Sequence, residues 1–153
     1  MKTIKTEQAL SAYHVLSAAK YTKMEDEDKI KVWKITRALK PIAEKFEDDS
    51  KDASEKFIPS ESFHSDFQKA QEFERILNAK EDLSKAPFTV EEYNKFIQVF
   101  QKYNSLVEAA IKEYGDKEVE LDFDPLSEDA FGKLMTSNEW TLKDSVDLGD
   151  IIM

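Results

Sequence analysis

A chain of 153 residues is long enough to bury a real core and short enough for a single domain. It has no cysteine, which excludes disulfides, thiolate metal sites and a cysteine nucleophile. Hydrophobic residues at 41% exclude the disordered class, three glycines favour long helices over tight turns, and a net charge of −10 argues against nucleic acid as the main partner.

The apolar positions Leu10, Tyr13 and Leu16, interspersed with alanines, predict a first helix from about Thr6 to Tyr21, with a face on which another helix can approach closely. The acidic run from Glu25 to Asp28 reads as a connection followed by the favourable first turn of a second helix. In that helix Val32, Ile35, Leu39, Ile42 and Phe46 recur at spacings of three and four, the stripe of a helix packed along a partner. Residues 6–46 therefore read as an antiparallel helical hairpin. Pro41 removes one hydrogen bond, but the stripe continues on both sides of it, so a kink is expected more than a stop. Residues 47–56 either extend the helix through Ala53 and Phe57 or fray into a linker, and Pro59 ends it in both cases.

Ser65 and Gln68 suggest a capping box for a third helix, with Phe67, Ala70, Phe73 and Leu77 as its buried side. A fourth helix has the clearest start, where Thr89 and Glu92 form a capping box and Phe88 can staple onto Tyr93. Its stripe runs from Tyr93 through Phe96, Phe100, Tyr103 and Val107 to Tyr114, and Gly115 is a natural C-terminal cap. The third and fourth helices thus occupy residues 65–115.

Residues 118–124 break the pattern. Val119, Leu121 and Phe123 alternate with Glu118, Glu120, Asp122 and Asp124, the two-residue period of a half-buried strand. One strand needs a ladder for its backbone donors and acceptors. Three partners are open: residues 1–6, whose Lys2 and Lys5 complement the acidic strand, the segment Phe57-Ile58, or a sheet edge on another molecule. Pro125 ends the strand, Ser127 caps a short helix with Leu126 and Phe131 as a staple, and residues 141–153 suggest a last helical turn and an apolar tail. No repeat is visible. The N-terminus lacks the apolar core of a signal peptide and no stretch approaches the roughly 18 apolar residues that span a bilayer, so a soluble protein made without export is expected.

Chemistry finds few footholds. Asp122-Phe-Asp124 matches the bare D-x-D pattern of some metal-dependent transferases, but without a glycine-rich phosphate cradle it reads as a solvated strand face. His14 reads as a partly buried packing residue, and His64, beside a helix start, as a surface residue. Neither lies in a metal-ligand spacing, and no nucleophile elbow, phosphate loop or dinucleotide fingerprint occurs. No enzyme activity, metal or cofactor is expected. Trp33 and Ile30 lie off the main stripe of the second helix, with Arg37 one turn further along; either a wide core face takes them in, or they anchor an interface, since Trp and Arg dominate binding hot spots.

The stretches KVWKITRALKPIAEKFED (31–48) and EVELDFDPL (118–126), with the order hairpin, polar middle, helix, acidic strand and compact C-terminus, resemble a group of short tailed-bacteriophage proteins. The resemblance implies phage origin and little mechanism, since it supplies no catalytic motif; the expected location is the virion, assembled in the host cytoplasm.

The sequence thus predicts a mainly α (α+β) single domain over residues 1–153, with a helical hairpin and two longer helices around one core, a short acidic strand and a small C-terminal helix. The expected function is non-enzymatic packing in a phage particle, for instance in a head-tail connector ring. Residues 1–45 carry ten Lys/Arg against six Asp/Glu, and residues 46–153 twelve against twenty-six, so the basic half of one copy can meet the acidic half of the next. Trp33 and Arg37 on one side, and Glu120, Asp122 and Asp124 on the other, are the expected protein contacts, with copies of the chain and other phage structural proteins as partners and no membrane. The alternative function is a small acidic intracellular effector that inhibits a host protein by mimicking nucleic acid.

Overall fold

The computed structural model describes residues 1–153. It is mainly helical with one two-stranded sheet, in the order β1 (Lys2–Lys5), α1 (Thr6–Ser17), α2 (Asp26–Lys56), α3 (Phe63–Asn78), a 3-10 turn (Leu83–Lys85), α4 (Val90–Asp116), β2 (Glu118–Leu121), α5 (Glu128–Thr136) and α6 (Leu142–Ile152). The chain forms two compact units, residues 1–49 with 112–153 and residues 50–111, so α2 and α4 contribute to both. Apolar burial follows the same division, with two clusters where the sequence suggested one core.

In the first unit the acidic strand finds its partner within the chain. β1 and β2 pair antiparallel, Ile4 opposite Val119, Lys5 opposite Glu118, Thr3 opposite Glu120 and Lys2 opposite Leu121. Ile4 and Leu121 turn inward and are buried, while Glu118 and Glu120 face solvent. The strand stops at Leu121, so Asp122 and Asp124, expected in the strand, lie beyond it; Phe123 still packs against the core.

Leu16, Val32, Ile35, Leu39, Leu134 and Ile152 form the fully buried centre of this unit. α1 ends at Ser17, earlier than the apolar pattern suggests. The following segment is held by the two residues after α5 instead of by its own helix: Asn138 accepts from the Lys20 N–H at 2.8 Å and donates to the Lys20 carbonyl at 3.0 Å, and Ser137 Oγ accepts from the Lys23 N–H at 3.1 Å. The alanine face of α1, where Ala9 and Ala12 are buried, admits a close helix as expected, but the helix whose backbone comes close is α6. α2 shares the same core through Val32, Ile35 and Leu39, so the hairpin of residues 6–46 is only part of the layout.

α2 runs unbroken through Pro41 to Lys56. A proline costs about 3 kcal/mol in a helix interior, and burial of Leu39, Ala43 and Phe46 on both sides of it opposes that cost. Gly115 does not terminate α4, which continues to Asp116. Its use is close packing, since a Cβ there would stand 3.3 Å from Phe46 Cζ and 3.4 Å from Glu7 Cβ. The C-terminal residues form a complete helix, not a turn and tail. Thr141 Oγ1 accepts from the Asp144 N–H at 3.2 Å, and Ser145, Leu148, Ile151 and Ile152 are buried. Ser127 caps α5 as expected, accepting from the Ala130 N–H at 3.1 Å.

The second unit is held by aromatic rings. Phe63 lies 4.7 Å from Tyr103 and 5.8 Å from Phe96 between ring centroids, and Phe73 stacks on Tyr93 at 4.4 Å. Tyr103 Oη donates to the Ser54 carbonyl at 2.6 Å, satisfying one of the acceptors left open in the last turn of α2. The capping box of α4 forms as read: Thr89 N–H to Glu92 Oε1 at 3.2 Å, and Glu92 N–H to Thr89 Oγ1 at 3.1 Å. Phe88 lies near Phe96, at 6.2 Å. α3 begins one turn before the expected cap, after Ser62, so Ser65 is helical and Phe63 joins Ala70 and Phe73 inside. Ile76 takes the buried place expected for Leu77, which is 50% exposed.

Candidate protein-interaction surface

Positions 32, 35, 39, 43 and 46 turn one side of α2 into the protein. At 100° per residue, Ile30, Trp33, Lys34 and Arg37 cluster on the opposite side. Ile30 is 54% and Trp33 57% exposed, so the core does not take them in. The Arg37 guanidinium lies over the Trp33 ring, 5.3 Å from its centroid, a cation–π contact one turn along the same helix. Between residues 29 and 40 there are five cations and no carboxylate, in a chain whose net charge is −10. Lys29 and Lys40 pair with Asp26 and Glu44 along the helix at 3.7 and 3.8 Å, whereas Lys31, Lys34 and Arg37 have no ion pair.

The acidic candidates divide into two places. Glu120 stands on the outer face of the ladder, across from Thr3. Asp122 and Asp124, placed by the partly buried Phe123 between them, line an open cavity of about 300 Å³ together with Lys31 and Lys34. The structure therefore sets two of the three carboxylates beside the basic face of α2 instead of at a distant end of the chain. Neither forms an ion pair with those lysines, so both signs of charge remain open to a partner. Lys31 and Lys34 were missed by the sequence reading. Their spacing of three, flanking Trp33, carried the signal, but only the fold sets Asp122 and Asp124 next to them.

Elsewhere titratable groups meet in surface pairs. His14 is exposed, contrary to expectation, with Nε2 2.7 Å from Glu47 Oε1. His64 is exposed as expected. The Lys133 ammonium is held above its ordinary pKa by the charges of Asp129 and then Glu25, and the Glu72 carboxyl below its own by its hydrogen bond to Arg75. No three His, Asp or Glu side chains converge as a metal-binding group, and neither histidine is hydrogen-bonded to a hydroxyl.

The fold and this surface describe a mainly helical α+β protein that exposes a basic, tryptophan-bearing helix face. No family model, no curated protein and no solved structure matches the chain. No helix is long and apolar enough to cross a membrane.

Proposed function

We propose that the chain is a non-enzymatic assembly protein of a bacteriophage particle, and that the exposed face of α2 packs against an acidic surface of a neighbouring subunit or another virion protein. The exposure of Trp33 beside Ile30, opposite the buried side of α2, carries this reading. A tryptophan left in water in the middle of a cationic patch gains by burial against a partner, and such rings supply on the order of 2 kcal/mol or more when they anchor an interface. Lys31, Lys34 and Arg37 form no ion pair within the chain and would steer an acidic partner and set its register. Asp122 and Asp124, beside them, favour partners that present a cation at the matching place and repel uniformly acidic ones. The phage setting rests on the resemblance of residues 31–48 and 118–126.

Mass spectrometry of purified particles tests the setting, and the α2 face is tested by the fluorescence of Trp33 in a Trp140→Phe protein. Presence of the chain in the particle, with a blue shift of Trp33 emission on association that high salt reverses, is expected. A chain confined to the cytosol of infected cells, whose Trp33 emission never changes, overturns the proposal and favours the effector reading.

A further inference from the structure

The solvent side of α6 carries a second unpartnered surface. Leu142 is 79%, Val146 54% and Met153 41% exposed, and with Gly149 they form one stripe at spacings of four, three and four. The stripe borders an open groove of about 510 Å³ floored by Phe131 and Met135 of α5. We infer that this groove is filled by α6 of a second copy of the chain, in an antiparallel pair around a twofold axis.

The pattern is its own complement. Leu142 and Met153, and likewise Val146 and Gly149, are equally far from a midpoint between Asp147 and Leu148. A twofold axis through that midpoint sets Leu142 against Met153 of the other copy and Val146 against its Gly149. The branched Val146 side chain then enters the notch that Gly149 leaves open, above the Phe131 ring, whose Cζ lies 3.5 Å from where a Gly149 Cβ would stand. Charge agrees. Lys143 and Asp150 each follow a stripe residue on the same flank, and antiparallel helices bring like flanks together, so Lys143 of each copy meets Asp150 of the other. Both are exposed and neither has an ion pair within its own chain. An unrelated partner would not require this symmetry of apolar, small and charged positions. The inference does not depend on the α2 surface, which lies on another helix and is governed by salt.

Sedimentation velocity of the full chain across a concentration series at high salt is the test, with circular dichroism as a check of folding. A monomer–dimer equilibrium that stops at the dimer is expected. Val146→Lys should weaken it at least tenfold. Gly149→Ala should also weaken it, although within one chain the added Cβ makes only ordinary contacts, at 3.4 Å to Met153 Sδ and 3.5 Å to Phe131. At low salt, Lys143→Asp should loosen the dimer and the double change Lys143→Asp with Asp150→Lys should restore it. A wild-type chain that stays monomeric, or a dimer indifferent to both Val146→Lys and Gly149→Ala, overturns the inference. Trp33→Ala should leave this dimer intact, so its failure and that of the α2 reading are separable.

Discussion

The Lys117 carbonyl accepts two hydrogen bonds from Thr6, one from the backbone N–H and one from Oγ1, each at 2.8 Å. This contact closes the β1–β2 ladder at the point where one strand becomes α1 and α4 hands over to the other. Thr6 is buried to 9% exposure, so most of its side chain is withdrawn from solvent.

Thr6→Val keeps the shape of the side chain and the backbone bond but removes the second donor. Because the Lys117 carbonyl retains one partner, the loss should be modest, about 1 kcal/mol. Urea unfolding should show a lower midpoint with an unchanged slope. A neutral result would mean that the hydroxyl contributes nothing to the closure.

α3 ends in a left-handed turn: the Glu81 N–H donates to the Ile76 carbonyl at 3.1 Å, the Lys80 N–H to the Leu77 carbonyl at 3.2 Å, and Lys80 has φ 56°. This is the Schellman closure, in which glycine is the usual occupant. Lys80→Gly should stabilise the chain by roughly 1 kcal/mol by relieving the Cβ clash of that conformation. A lower thermal midpoint for the variant would contradict it.

The exchange of Ile76 for Leu77 as the buried residue of α3 separates two neighbouring alanine substitutions. Ile76, 4% exposed, should cost about 2–5 kcal/mol on truncation. Leu77, 50% exposed, should cost under about 1 kcal/mol. A larger loss for Leu77→Ala than for Ile76→Ala in denaturant melts would place the helix in the register suggested by the sequence alone.

Tyr93 Oη donates to the Glu74 carboxylate, and this bond, with a smaller contribution from burial, pushes the phenol up to about 12. A raised phenol stabilises the fold fully below the ordinary tyrosine value of 10.0. The contribution fades as pH rises from there through the folded value. Glu74→Ala should bring the Tyr93 titration down toward the ordinary value and make alkaline unfolding begin at lower pH. Titration of carbon-labelled tyrosine by NMR resolves Tyr93 from the other four; an unmoved midpoint would assign the shift to burial.

Local chemistry was readable where a few adjacent residues suffice. The Thr89–Glu92 box, the Ser127 cap and the continuation of α2 through Pro41 depend on backbone geometry and near neighbours and formed as the sequence implied, whereas of the strand expected over 118–124 only residues 118–121 pair. Composition and periodicity likewise fixed a mainly helical α+β class, since three glycines and long three-four stripes leave little else. Only the tertiary structure decided which partner each surface meets. Lys2–Lys5 won the acidic strand, α6 won the alanine face of α1, and Asn138 ended the segment after α1 by satisfying its backbone from more than a hundred residues away. Those choices are competitions among distant segments for the same apolar surface and hydrogen-bonding groups, and a helical stripe shows that a face will be buried without showing what will cover it. For the same reason the exposure of Trp33, and of Leu142 and Val146, emerged only after every competing segment had taken its place.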